Sequence, residues 1–501
     1  MGVGAQPMSN AFPVSGRPVS GHIFYLGIGT YFVLQVLLRT VLGGSMELDE
    51  AEQALFSQWL QWGYSSQPPL YTWLQKAFFA VFGQGLFALS LLKNSLLFLT
   101  YIFVYLAARR TLKDEHRAVL ASLGLLLMPP IAWESARDLT HTVLVATSVA
   151  ANFYLALRLM EQPTLARYGW FGLSLGLGML SKYSFAIHVL ALSFALASIP
   201  QGRAALLDRR MGLALGIAVL VCAPHGWWIW HHAESFNAGV HKLMSGDAPG
   251  RLWLTARLGL VALSYAAPLL LACLFLFSGL RQRLRHGFTY ESFEESLPAR
   301  YFFVLFVALL LFIWLFSPGQ VKNRWLYPFF VLFPLFLFAN LPAAEILSSR
   351  FRTYLGLAGT SAVLIFGLLL LRVPGASWTH RGTDLNLPFA ELSDHIRQAG
   401  FTEGVIIGHN THSAGNLRLQ FPNCRTFDLR PGLPFPSEVK GDVLVVWEAP
   451  QSDPPPDNLL SFIRQRLNVN LDTLPVRYLS LPYRYSPDIE ARFGFALLHK
   501  G

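Results

Sequence analysis

"MELDEAEQALFSQWLQWGYSSQPPLYTWLQ", residues 46–75, lies between an apolar run at 22–42 and another at 86–108. Glu47, Asp49, Glu50 and Glu52 follow the first run at once, and Pro68-Pro69 closes the stretch before the second. The flanking runs have the length of about 17 to 25 residues that an α-helix needs to cross a bilayer. The acids therefore belong to a loop at a membrane surface. The whole chain supports that reading, since 53% of its 501 residues are hydrophobic and 14% are charged, against about 25% charged in an ordinary soluble domain.

Working outward, eleven spans are predicted, near 22–42, 86–108, 117–133, 139–158, 168–181, 183–200, 211–231, 254–280, 300–317, 325–342 and 353–372. Every second loop is basic: Arg109, Arg110, Lys113 and Arg117; Arg158 and Arg167; Arg203, Arg209 and Arg210; Arg281, Arg283, Arg285 and Arg300; Arg350 and Arg352. Basic loops stay in the cytoplasm. The N-terminus is then inside, while loop 43–85, loop 230–251 and the tail are outside. This topology accounts for much of the net charge of +10. No nucleic-acid-binding motif accompanies it, so no nucleic-acid partner is expected. Cys222, Cys273 and Cys424 suggest no disulfide framework. Residues 1–21 are mostly polar, and no cleavable signal peptide is expected.

Composition changes after Arg372, which divides the chain into a membrane module, 1–373, and an outer domain, 374–501. Within the latter, "GVIIGHN" (404–410) and "GDVLVVWEAP" (441–450) read as buried strands and "PFAELSDHIRQAG" (388–400) as an amphipathic helix. The expectation is a polytopic α-helical membrane protein with a small C-terminal α/β domain. In the first loop, residues 49–62 have helical spacing, and Leu55, Trp59 and Trp62 form an apolar face suited to the membrane interface. Acids near a helix N-terminus also favour its dipole, so Asp49 and Glu50 have a plain structural reading beside a chemical one.

The stretch "LDEAEQALFSQWLQWGYSSQPPLYTWL" resembles the first periplasmic loop of the bacterial family 39 and family 83 glycosyltransferases. These are GT-C enzymes related to protein O-mannosyltransferases and the lipid A aminoarabinose transferase. Asp49-Glu50-Ala51, Gly63-Tyr64, Pro68-Pro69-Leu70 and Tyr71-Thr72-Trp73-Leu74 carry the likeness; "SLGLGMLSKYS" (174–184) and "KNRWLYP" (322–328) add to it. The resemblance implies a GT-C fold and an inverting transfer of a monosaccharide from a polyprenyl-phosphate donor to a lipid or glycan acceptor. In family habit that acceptor is lipid A or lipopolysaccharide core, at the outer face of a bacterial inner membrane. It implies Asp49, with Glu50 beside it, as the base or acceptor-orienting carboxylate, because a hydroxyl nucleophile needs a proton acceptor within reach. The departing lipid phosphate needs cations.

Lys182 reads as a phosphate ligand or as a lysine snorkelling from a helix end. Lys322 and Arg324, basic on the outer side, read as ligands of the donor phosphate or of a lipid headgroup. Asp138 is a second carboxylate at the site or, with Arg137, a helix cap. Tyr64, Gln67 and Tyr183 are expected at the substrate. Gln67 stands where the aminoarabinose transferase has Lys, and Gln53 where it has an aromatic residue, which speaks against aminoarabinose and leaves other sugars open, uronic acids among them. His225, His231, His232, Glu234 and His241 match no closed zinc spacing; no metal site is assigned, and the residues do not fix whether a divalent ion assists. Membrane lipids are the other expected partners; oligomeric state is not legible. The rival reading, a transporter or flippase of a lipid-linked sugar, requires midplane charges and repeats, and neither was found in the sequence.

Overall fold

The apolar runs fold as helices that turn their apolar sides outward as well as inward. The computed structural model describes residues 21–245, 250–287, 290, 292–380, 382–430, 433–439, 441–449, 454–469 and 475–499. The expectations for residues 1–20 and for the centre of the 230–251 loop fall outside the described residues. Helices α1 (Gly21–Leu42), α2 (Leu48–Phe56), α3 (Leu70–Phe82) and α4 (Leu86–Leu112) carry the first loop and its flanks. Then come α5 (Glu115–Leu123), α6 (Pro129–Arg137), α7 (His141–Glu161), α8 (Leu165–Ser181), α9 (Phe185–Ala197), α10 (Pro200–Leu207) and α11 (Met211–His231). The body closes with α12 (Ala233–Met244), α13 (Arg251–Leu276), α14 (Ser278–His286), α15 (Phe293–Phe316), α16 (Tyr327–Phe330), α17 (Phe333–Ala339) and α18 (Ser348–Arg372).

Among the described residues seven helices are long and apolar enough to cross a membrane, and two bent pairs raise this to nine. Leu26, Val41, Leu220, Phe275 and Val363 are each more than 70% exposed, an apolar surface that only lipid or a partner can cover. All eleven expected spans coincide with helical segments, but four are short or broken. Proline is the cause in three of them. Pro129-Pro130 separates α5 from α6 with a 62° bend, and Pro200 opens α10 at 115° to α9. Pro328 and Pro334 each stand in the first turn of a new short helix. Proline has no N–H for the preceding turn and fits the first helical position. The fourth, α8, has 17 residues.

The chain after α18 forms α19 (Ala376–Thr379), α20 (Phe389–Gln398), α21 (Thr411–Gln420), α22 (Asp457–Leu467) and a five-stranded sheet. Its strands are β1 (Val405–Gly408), β2 (Arg425–Phe427), β3 (Val443–Glu448), β4 (Val476–Tyr483) and β5 (Ser486–Leu498), in the order β2-β1-β3-β5-β4. The first three pair in parallel, and β5 joins β3 antiparallel with Val445 opposite Ala496. β1, β3 and α20 form where the sequence pattern places them. The β4–β5 hairpin was not anticipated: β4 is an edge strand, half exposed, and it turns at Arg484-Tyr485 without Gly or Asn.

Candidate functional site

α2 is fixed at its start by a reciprocal capping box, in which Glu47 and Glu50 each accept from the other's backbone. Glu50 is 2% exposed. Its carboxylate takes Arg39 Nη2 at 2.6 Å from α1 and faces Lys93 Nζ at 3.7 Å from α4. Burial opposes its charge, yet Arg39 and Lys93 hold its carboxyl down at about 2. Glu47 pairs with Arg372 at the end of α18. Glu52 pairs with Arg430 Nη1 at 2.7 Å, and Arg430 also takes Asp428 at 2.6 Å. Three of the four acids thus tie the loop to α1, α4, α18 and the sheet domain. Asp49 has no part in those pairs and is half-exposed.

Around Asp49 the expected residues divide. Asp138, the C-cap of α6, faces it across the loop; burial and the charges of Asp49 and Glu47 push its carboxyl up to about 7. The helix-cap alternative for Asp138 is not what forms. Arg137 turns to Glu134 at 2.9 Å, Thr140 and not Asp138 is the N-cap of α7, and Asp138 Oδ1 is buried without a hydrogen-bond partner. The next residue, Leu139, has φ +77°, a conformation that costs about 1–3 kcal/mol outside glycine and that clusters at functional sites. Lys182 sits in the turn between α8 and α9, where Gly178 leaves room for the ring of Phe185 to fold back. Its Nζ donates to Thr142 Oγ1 at 2.8 Å. Burial, then Arg324 and Lys322, lower its ammonium to about 8, with Asp49 and Glu52 opposing them. Lys322 and the exposed Arg324 flank Asn323 ahead of α16, and so belong to the same cationic group.

Tyr64, Gln67 and Tyr183 are placed differently. Tyr64 is 1% exposed; its hydroxyl donates to Trp59 O at 2.7 Å and accepts from Gln61 N at 3.0 Å. Its backbone pairs with Gln67 in a tight loop. Tyr64 therefore shapes the turn before Pro68-Pro69, and its hydroxyl is already used. Tyr183 bonds His225 Nε2 at 3.1 Å, and His225 Nδ1 lies 2.6 Å from Trp62 O. Trp228 and His232 stack in the same line. Among the described residues no group of three His, Cys, Asp or Glu is arranged to hold a metal.

The interfacial face expected for 49–62 is corrected. α2 ends at Phe56; Leu55, Phe56 and Tyr64 pack against Ala414, and Trp59 lies 5.3 Å from the Phe427 ring. The sheet domain covers Leu55 and Trp59, while Trp62 stays 49% exposed beside Trp73. Gly415 has no side chain because a Cβ there would overlap the Ala51 carbonyl. Met46 N donates to Asn416 Oδ1 at 2.8 Å, and Gln58 exchanges two 2.9 Å bonds with the Thr426 backbone. Sequence reasoning also passed over a buried relay beneath the site. Thr72 donates to Gln53 Oε1 at 2.8 Å, and Gln53 Nε2 lies 3.2 Å from His141 Nε2. A polar residue such as Gln53 on a helix face otherwise apolar was the available signal.

A helical membrane body with Asp49 opposite Asp138 and near Lys182 is compatible with the GT-C class of membrane glycosyltransferases, and the comparisons with known proteins point the same way. The family model for dolichyl-phosphate-mannose-protein mannosyltransferases matches residues 66–228. The lipopolysaccharide core galacturonosyltransferase RgtB of Rhizobium johnstonii is 33% identical over 97% of this chain and 99% of its own. RgtA of the same organism, with the same description, is 32% identical over 91% and 93%. The crystal structure of ArnT from Cupriavidus metallidurans bound to undecaprenyl phosphate superposes with a TM-score of 0.63 at 12% identity, covering 96% of this chain and 98% of that one. The chain belongs to the bacterial GT-C glycosyltransferase family that contains these galacturonosyltransferases.

Proposed function

We propose that the protein transfers a uronic acid, galacturonic acid in the first instance, from a polyprenyl-phosphate carrier to a sugar of lipopolysaccharide core or lipid A. The reaction would occur at the periplasmic face of a bacterial inner membrane. The observation that carries this reading is the near-full-length likeness to a core galacturonosyltransferase; the undecaprenyl phosphate in the ArnT complex supports the carrier. In this reading residues 1–373 are the catalytic module, and 374–501 hold its first outer loop in place.

Asp49 accepts the proton of the acceptor hydroxyl as that oxygen forms a bond to the anomeric carbon. The bond from that carbon to the phosphate oxygen breaks, with inversion, and its electron pair leaves with the polyprenyl phosphate. Lys182, Lys322 and Arg324 meet the charge that develops there. Asp138, opposite Asp49, orients the sugar or acceptor. The test is mass spectrometry of lipid A and core from wild type, deletion strain and complemented deletion. A uronic acid should vanish on deletion and return with the gene; an unchanged glycan defeats the reading.

A pH profile follows. Asp138 carries its charge above about 7, and Lys182 loses its own above about 8. Because kcat/KM reports the free enzyme, it should rise as pH passes about 7 and fall beyond about 8. Lys182→Arg should move the alkaline limb upward, since a guanidinium stays charged. Asp138→Asn should flatten the acid limb. A profile unchanged by both substitutions would remove these two groups from the titration.

A further inference from the structure

We infer that His141 is a positioning residue of the transfer reaction: it ties the helix of Asp49, the segment of Asp138 and the turn of Lys182 into one frame. The inference rests on the reaction proposed above and names the group that sets its base and its phosphate cation at a fixed distance.

The three groups come from separate stretches of chain. Asp49 is on α2, Asp138 follows α6, and Lys182 stands in the turn after α8. His141 joins all three. It opens α7, just beyond Asp138. Helix ends leave their last carbonyls without a partner in the helix, and the Ser181 carbonyl at the end of α8 lies 3.3 Å from His141 Nδ1. The next residue, Thr142, takes the Lys182 ammonium at 2.8 Å. The first turn of α7 thus holds both the backbone before Lys182 and the tip of its side chain. On the other side, His141 Nε2 lies 3.2 Å from Gln53 Nε2, and Gln53 stands one helical turn from Asp49 on α2.

The partners set the protons. His141 Nδ1 faces a carbonyl and so carries the hydrogen, which leaves Nε2 a lone pair for the Gln53 amide. Gln53 Oε1 accepts from Thr72 Oγ1 at 2.8 Å, which fixes the orientation of that amide. His141, Gln53, Thr72 and Ser181 are each at most 4% exposed, and none of their side-chain polar atoms is left without a partner. A buried network that is fully satisfied is rigid. No helix runs through the joints it spans: Leu139 has φ +77° and Lys182 is extended. Side-chain bonds therefore fix what the backbone ladder does not. His188 is the contrasting case. It too is buried with both nitrogens bonded, to Tyr301 Oη at 3.0 Å and Asn152 Oδ1 at 3.2 Å, but those partners lie on α15 and well along α7, away from the three segments.

The test compares variants of the full-length protein in detergent by two readings: kcat per folded enzyme at saturating donor and acceptor, and affinity for polyprenyl phosphate. His141→Asn keeps a donor near the Ser181 carbonyl but loses the reach to Gln53, and Gln53→Leu cuts the same link from α2. Each should lower kcat by about 10²-fold, the effect of about 1 Å of misplacement, and leave polyprenyl phosphate binding near the wild-type value. The double variant should be no slower than the slower single one, because both remove one link. His141→Leu also strands the Ser181 carbonyl and should weaken polyprenyl phosphate binding as well. His188→Leu, or His188→Gln should the first fail to accumulate, should lower thermal stability and keep the wild-type kcat. Normal turnover in His141→Asn and Gln53→Leu overturns the inference, as do effects that multiply in the double variant or an equal fall in kcat on changing His188. A wild type that binds polyprenyl phosphate but transfers no uronic acid removes the sugar assignment alone. In that case His141→Leu must still bind polyprenyl phosphate more weakly than the His188 variant, or the inference falls too.

Discussion

Asp49→Asn should lower kcat by about 10²- to 10⁴-fold, the usual contribution of a positioned general base, and leave folding as it was. Asn keeps the shape and can still accept a hydrogen bond, but it cannot take the acceptor's proton at neutral pH. The geometry separates Asp49 from its neighbours for this purpose. Glu47, Glu50 and Glu52 are each held in an ion pair with an arginine from another part of the chain, whereas Asp49 stands half-exposed opposite Asp138. Purified variant and wild type, assayed with saturating donor and acceptor, give the comparison. Thermal unfolding of both in the same detergent should coincide. An Asp49→Asn enzyme with full turnover would end the assignment. If Asp138→Asn were the dead variant and Asp49→Asn the mild one, the two carboxylates would exchange roles.

Much of this site could be read before the fold was seen, and the remainder hides for identifiable reasons. The membrane body follows from run length and composition. The first loop follows from a local pattern, Asp-Glu-Ala to Pro-Pro-Leu, whose residues are close in the chain. Partners distant in the chain leave no such trace. Glu52 and Arg430 are 378 residues apart, and nothing near Glu52 announces that its charge is structural. The same holds for Gly415, a glycine inside a helix whose reason is the carbonyl of Ala51. The apolar face of 49–62 was legible, but not its partner: a stripe of Leu and Trp fits a bilayer interface and the edge of a β-sheet domain equally well. Lys93 is the opposite case. A lysine near one end of an otherwise apolar run stands in the sequence, and its cost in a membrane asks for an anion, which α2 supplies as Glu50.

Glu50→Ala should act through stability instead of chemistry, removing about 3–5 kcal/mol, the cost of breaking a buried ion pair on one side. Arg39 and Lys93 would be left facing each other in a buried space with no anion between them, and the capping box of α2 would lose its acceptor. The acidic helix would then be released from α1 and α4, and activity would fall because protein is lost. The expected readings are less protein in the membrane and a lower unfolding temperature in detergent, while Asp49→Asn resembles wild type in both. Acid should reproduce part of the effect. The folded-state carboxyl of Glu50 is held at about 2, below its ordinary 4.5. Its stabilisation is therefore complete above about 4.5 and is lost as pH falls towards 2. A double variant, Glu50→Gln with Arg39→Met, distinguishes this account from a catalytic one. With one charge of each sign removed, much of the lost stability should return, because the penalty lies in the unpaired cation more than in the missing pair. If instead Glu50→Ala accumulates normally, unfolds at the wild-type temperature and has lost its turnover, then Glu50 touches substrate and the ion pair with Arg39 is not what keeps it in place.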